Sequence, residues 1–298
     1  MEAEELDRFR QAGRIASKVR EESKSLIMVD ASLLDIAETI EQMIREEGAR
    51  PAFPVNISIN EIAAHFTPGV DSTEMLGEKD LVKIDLGVEL GGALSDTAYT
   101  IDLGDANGSL VKASEEALAA ATAMMKPGVT IGSIGGVIED AIKKYDFKPI
   151  SNLTGHMIKS NDLHAGVEIP NVRTDDPFEL MEGDVFAVEP FATTGGGYVS
   201  DLNQVEIYSL FAPAKIRMRQ SRKIVEFAIE NFGMLPFAER WVMKAFESKM
   251  LVSAALKELL KNHFIRAYPV LRESDGGMVS QAEHTVYITA DGAEVLTK

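Results

Sequence analysis

Residues 81–101 read LVKIDLGVELGGALSDTAYTI. Two β-rich runs, Leu81–Leu90 and Ala93–Ile101, are joined by Gly91-Gly92. A Gly-Gly step suits a two-residue hairpin turn, because both positions can take positive φ. With that turn Leu90 opposes Ala93, Asp85 opposes Ala98 and Asp96 opposes Gly87. Side chains alternate along a strand, so Asp85 and Asp96 share a face as diagonal neighbours roughly 7–8 Å apart at Cα, within reach of one ion. Two carboxylates among apolar strand residues repel each other and lose hydration unless something positive joins them. Taken alone, the pair also fits a solvated hairpin face.

Upstream of the hairpin, Leu6, Phe9, Ala12, Ile15, Ala16 and Val19 recur at helical spacing and predict a helix over Glu4–Ser25. A second helix is predicted over Ser32–Glu47, capped by Asp30 or Ser32, and a strand over Pro54–Ile59. Downstream, helices are predicted at Ser109–Met125 and Gly132–Lys144, and strands at Val185–Phe191, Ile265–Val270 and Glu283–Thr289.

The chain also repeats itself. Val29–Leu34 (VDASLL) aligns with Val129–Ile134 (VTIGSI) at an offset of 100. Ile40, Glu41, Ile44 and Pro51 then face Ile138, Glu139, Ile142 and Pro149 at an offset of 98. KDLVKID, ending at Asp85, matches GDVFAVE, ending at Glu189, at 104. The third match sets two carboxylates at equivalent ends of two apolar strands, which points to a duplicated α/β half. The stretch Ser209–Asn262 has no counterpart in the first half, is helical by pattern, and reads as an insertion.

Composition narrows the function. The 298 residues carry 30 basic and 47 acidic side chains, a formal charge of −17, and 45% are hydrophobic. That charge argues against a general grip on nucleic-acid phosphates and leaves room for a negative site that holds cations. The absence of cysteine removes disulfides, a thiol nucleophile and Cys-ligated zinc or iron–sulfur. The N-terminus has no basic and apolar leader, and no stretch reaches the ~18 apolar residues of a bilayer span, so a soluble intracellular protein is expected.

Further acids and imidazoles stand out one by one. Glu189 lies in VFAVEPFAT, Glu283 in SQAEHTVYIT, and His156 and His164 flank TGHMIKSNDLHAG. Each alone also fits an edge acid or a structural histidine. Together, Asp85, Asp96, Glu189 and Glu283 with one imidazole would form an oxygen-rich pocket suited to two divalent first-row ions. Gly195–Gly197 leads into Tyr198-Val199-Ser200 with neither helix nor Lys, and reads as a close-approach turn rather than a phosphate loop. Lys215, Arg217, Arg219, Arg222 and Lys223 read as a solvated helical face, Trp241 as core, and His263 as a helix-end residue.

These stretches resemble the methionine aminopeptidases with the duplicated pita-bread fold, in the type 2 form without an N-terminal extension. The resemblance spans essentially the whole chain. It rests on FPVNISINEIAAHFTP, KIDLG with SDTA, TGHMIKSNDLHAG, FAVEPFATTGGG and SQAEHT in that order. It implies one α+β catalytic domain over 1–298, with pseudo-twofold halves of about 1–105 and 106–298 and a helical insertion at 209–262. It also implies two divalent ions (Co, Mn, Fe or Zn), with Asp85 on one, Asp96 and Glu283 bridging, and His156 and Glu189 completing the second. In the implied reaction, metal-activated water attacks the first peptide carbonyl with Glu189 as base, releasing the N-terminal methionine of nascent chains before a small second residue. His164 would contact the scissile group, His65 the substrate backbone and leaving amine, and Phe53 with Pro54 the methionine side chain. The family picture is a cytoplasmic monomer with at most a transient ribosome contact and no DNA or membrane partner. Where the family pattern often has an aromatic between the two histidines, this chain has Asn161. The alternatives are an Xaa-Pro aminopeptidase or prolidase, against which the early start of the motif-bearing domain argues, and a metal-free ribosome- or RNA-associated relative, against which the complete ligand set argues.

Overall fold

A computed structural model describes residues 1–211, 216 and 218–298. The first half runs α1 (Ala3–Ser23), α2 (Leu33–Glu46), β1 (Arg50–Pro51), β2 (Asn56–Ile59), β3 (Ile62–Ala64), β4 (Leu81–Leu90) and β5 (Ala93–Asp102). The second runs α3 (Gly108–Met124), α4 (Ile131–Lys143), β6 (Lys148–Pro149), β7 (Thr154–Met157), β8 (Glu168–Pro170), β9 (Val185–Val188), β10 (Phe191–Thr193) and β11 (Val199–Leu210). Then come α5 (Arg219–Asn231), β12 (Phe237–Ala238), α6 (Glu239–Ala245), α7 (Lys249–Lys261), β13 (Ile265–Glu273), β14 (Val279–Gln281), β15 (His284–Ile288) and β16 (Ala293–Val295). Among the described residues no helix is long and apolar enough to cross a membrane.

Each half lays two helices on a sheet. Ser32 Oγ caps α2 by accepting from Asp35 N, and Leu33, Ile36, Ala37, Ile40 and Ile44 bury its apolar stripe. Thr130 caps α4 in the same way through Ser133 N. β4 pairs with β5 along its whole length and on its other edge with β1 and β2. The hairpin register is the one read from Gly91-Gly92: Leu90 faces Ala93, Asp85 faces Ala98 and Gly87 faces Asp96. In the second half the sheet order is β16-β15-β9-β7-β8.

The repeat survives as geometry. Asn56 pairs with Asp85 across β2 and β4, so opposed numbers total 141; His156 pairs with Ala187 across β7 and β9, where they total 343. The rise of 202 is the 98- and 104-residue offsets combined, so the two strand pairs are equivalent residue for residue.

The halves meet where β3 pairs with β13, and along β5 and the segment Gln281–Thr285, where threonine hydroxyls make most of the bonds. Thr97 Oγ1 donates to Glu283 O at 2.8 Å, Thr100 Oγ1 to Gln281 O at 2.7 Å and Thr285 Oγ1 to Asp96 O at 2.8 Å. Thr100 and Thr285 also accept from the main-chain N–H of Gln281 and Asp96. Within this seam one main-chain bond is made, Glu283 N to Ala98 O at 3.1 Å.

Several elements depart from the sequence reading. The strand expected over Val185–Phe191 breaks at Glu189-Pro190, where Pro190 has no N–H to give; β9 ends at Val188 and β10 joins a different sheet, between β14 and β6. Ile265–Val270 continues to Glu273, and the last long strand begins at His284 rather than Glu283. The twelve-residue β11 was unanticipated. Its last residues, Ser209 and Leu210, pair with Arg266 and Ile265 of β13, so the helical excursion α5–α7 begins after a strand and returns to its partner. Lys215 and Arg217 lie outside the described residues; Arg219, Arg222 and Lys223 are exposed on α5. Glu273 accepts from the N–H groups of Gly197, Asp275 and Gly277, and a Cβ at Gly195 would sit 2.3 Å from its Cδ, which makes the glycine run a close-approach turn.

Candidate metal centre

A cavity of about 240 Å³ opens between the halves and is lined by Asp85, Asp96, His156, Glu189 and Glu283, together with Phe53, His65 and His164. Asp85 projects from β4 and Asp96 from β5, held by the hairpin register. His156 lies on β7, Glu189 at the break between β9 and β10, and Glu283 just ahead of β15. The Pro190 break and the hydroxyl seam thus turn the two second-half acids toward the first-half pair. Pro54 is buried but does not line the cavity; its carbonyl accepts from Asn56 Nδ2 at 2.8 Å.

The donors converge. His156 Nε2 is 3.6 Å from Asp96 Oδ2 and 3.6 Å from Glu189 Oε1. One ligand atom each of Asp96, His156 and Glu283 lies within 4.8 Å of the others. Asp85 Oδ1, Asp96 Oδ1 and both Glu283 carboxylate oxygens are buried without a hydrogen-bond partner. Polar atoms left unpaired in this way are costly unless something outside the chain satisfies them.

Electrostatics say the same. Burial holds Asp85 well above the ordinary carboxylate range, and the neighbouring Asp96 adds to it. Burial lifts Asp96 to about 7, and Glu189 and Glu283 rise through burial and then mutual repulsion. Burial lowers His156 to about 4, so its imidazole is neutral and free to ligate. Four acids and one neutral imidazole, with no lysine or arginine ion-paired to them among the described residues, fit divalent cations and suit a hard or borderline ion better than a thiolate-seeking one.

Two more imidazoles face the cavity. The His164 ring packs 4.3 Å from that of His156 while remaining exposed on its outer side, and its pKa is pushed down. His65 adopts a left-handed backbone, φ 64°, and its Nδ1 lies 3.2 Å from Pro269 O, with Tyr268 edge-on at 5.6 Å. A carbonyl can only accept, so Nδ1 of His65 carries the proton and Nε2 is left for the cavity.

The sequence reading missed Asn56, Leu163, Ile207, Pro236 and Tyr268 on the cavity wall, and Gln281, whose Nε2 donates to Glu189 Oε2 at 3.4 Å. Asn56 is recoverable from the repeat, since it sits directly opposite Asp85. Ile207 and Tyr268 depend on the β11–β13 pairing, which no sequence signal announced. Asn161 is not on the cavity wall. It takes φ 59°, and its N–H donates to Gly92 O at 2.8 Å, docking the loop after β7 on the hairpin turn; Asn tolerates that conformation better than an aromatic would.

Residues 7–290 match the model of metallopeptidase family M24. A methionine aminopeptidase of Methanocaldococcus jannaschii is 47% identical over 300 residues, covering 100% of each chain. Among solved structures, a thermophilic Arx1 superposes with a TM-score of 0.86 at 20% identity, covering 99% of this chain and 91% of its own. A methionine aminopeptidase of Thermotoga maritima gives 0.74 at 21% identity, covering 100% and 98%. The last two are likenesses of fold.

Proposed function

The chain belongs to metallopeptidase family M24 and, within it, to the methionine aminopeptidases, and we propose that its cavity removes the N-terminal methionine with the residues named above in fixed roles. Asp85, Asp96, His156, Glu189 and Glu283 would hold two divalent ions, with Asp96 and Glu283 shared. When bound, such ions supply a Lewis acid for the first peptide carbonyl and lower the pKa of water in the cavity. The observation that carries this reading is the set of buried carboxylate oxygens with no partner in the chain.

Glu189 takes a proton from the attacking water and returns it to the leaving amine. His164 donates to the carbonyl oxygen as charge develops there. His65, its tautomer set by Pro269, meets the leaving nitrogen through Nε2. Phe53 contacts the methionine side chain, while Pro54 acts through the backbone that positions Phe53. Ions held by these residues would select a substrate with a free α-amine, which would limit removal to one residue, and the confined cavity favours a small second residue. The net charge of −17 weighs against a DNA partner, and the likeness to methionine aminopeptidases supports a cytoplasmic monomer that meets nascent chains and touches the ribosome at most transiently.

The test incubates the protein with Co²⁺ or Mn²⁺ and peptides beginning Met-Ala-Ser, Met-Pro-Ala and N-acetyl-Met-Ala-Ser, read by mass spectrometry. Loss of one methionine from the two free peptides, abolished by chelator and absent from the blocked one, is the expected result. Cleavage that persists with chelator, or that proceeds on the blocked peptide, would overturn the assignment.

A further inference from the structure

Gln281, on β14, is 1% exposed and has no part in the chemistry above. Its Nε2 donates to Glu189 Oε2 at 3.4 Å. Its main chain is fixed on both sides: Thr100 Oγ1 donates to Gln281 O and accepts from Gln281 N, while Gln281 pairs with Phe191, two residues after Glu189.

We propose that Gln281 is a positioning residue of the carboxylate site: its amide holds Glu189 Oε2, so that Glu189 presents Oε1 to the cavity. The inference rests on the reading of this cavity as a metal-dependent peptidase site. A neutral amide suits the task, because an ammonium or guanidinium in its place would compete with cations for the same oxygens. With Oε2 engaged, Glu189 Oε1 faces His156 Nε2 at 3.6 Å.

Two variants test it, Gln281→Met, which keeps the volume and removes the donor, and Thr100→Val, which removes the hydroxyl that fixes the Gln281 backbone. Three readouts are taken: calorimetric titration with Co²⁺, the visible absorption of the Co²⁺ protein, and the kcat and KM of a Met-Ala-Ser peptide. For Gln281→Met the expected result is a loss on the order of 10- to 100-fold in Co²⁺ affinity or kcat, KM within about twofold, and an altered Co²⁺ spectrum. Thr100→Val should shift the same quantities less, and the double variant should be no worse than Gln281→Met alone. A Gln281→Met protein with wild-type Co²⁺ affinity and spectrum overturns the proposal, as does a full sum of effects in the double variant. Failure of the wild-type protein to bind Co²⁺ would instead remove the functional reading beneath it.

Discussion

Carboxylates are taken out of water in two parts of this molecule, on opposite terms. Glu41 of α2 meets Arg240 of α6, whose side chain is fully buried, and accepts from Trp241 Nε1 at 2.7 Å and Val55 N at 3.4 Å. Arg240 also donates to Thr67 Oγ1 at 2.7 Å. Burial draws Glu41 and Arg240 toward neutrality, and their mutual attraction opposes it. The four acids of the cavity have each other, one neutral imidazole and one amide. Where the chain supplies the cation, the acid fastens the helical excursion to the first half. Where it does not, buried carboxylate oxygens are left without a partner from the chain.

That contrast can be broken most sharply at Glu189. Glu189→Gln should lower turnover by roughly 10²- to 10⁴-fold in single-turnover assays of a Met-Ala-Ser peptide with metal bound; turnover near wild type would remove Glu189 from its role. At the paired acid the loss should be one of stability. Arg240→Met leaves Glu41 buried with only the Trp241 and Val55 N–H groups and the more distant Arg45, at 3.8 Å. It should cost about 3–5 kcal/mol in urea unfolding, while an unchanged midpoint would mean the pair stabilises nothing. Asp96→Asn should have the opposite sign in metal-free protein, raising stability by on the order of 1–3 kcal/mol at pH 8. A fall there would show that the acids are not in conflict.

The same logic gives a pH dependence for metal-free protein. Asp96 titrates near 7 when folded and from 3.8 when unfolded, so its protonated form favours the folded chain below about 3.8. That contribution is lost as pH rises to about 7, because the unfolded chain releases its proton first. Between pH 4 and 8 the Tm of metal-free wild-type protein should therefore fall relative to that of Asp96→Asn. That comparison sets aside the opposing contribution of buried His156, whose pKa is lowered. The smallest effect is expected at the exposed Lys249–Asp71 pair, where Lys249→Ala should cost under about 1 kcal/mol.

Much of this was legible because one turn is nearly unambiguous. Gly91-Gly92 fixes the register, and the register alone puts Asp85 and Asp96 on one face. The offset of 104 then pointed to Glu189 before any contact was known. What escaped notice has physical causes. β11 reads VSDLNQVEIYSL, and its outer half is largely exposed, so no apolar alternation marks it as a strand. Glu189 lies at a change of sheet forced by Pro190, which local patterning read as a continuous strand. Gln281 looks like any polar strand residue until Thr100, 181 positions earlier, is placed beside it.

The threonine stitching between the halves carries a consequence for how such a molecule could be assembled. Where β3 lies against β13, a ladder of main-chain bonds requires two strands to lie edge to edge in strict alignment. Along β5, hydroxyls that both give and take a hydrogen bond need only approach, and the single main-chain link of that seam, Glu283 to Ala98, leaves them most of the work. In such a molecule the ladder sets the alignment of the halves, and the hydroxyl seam needs only to follow.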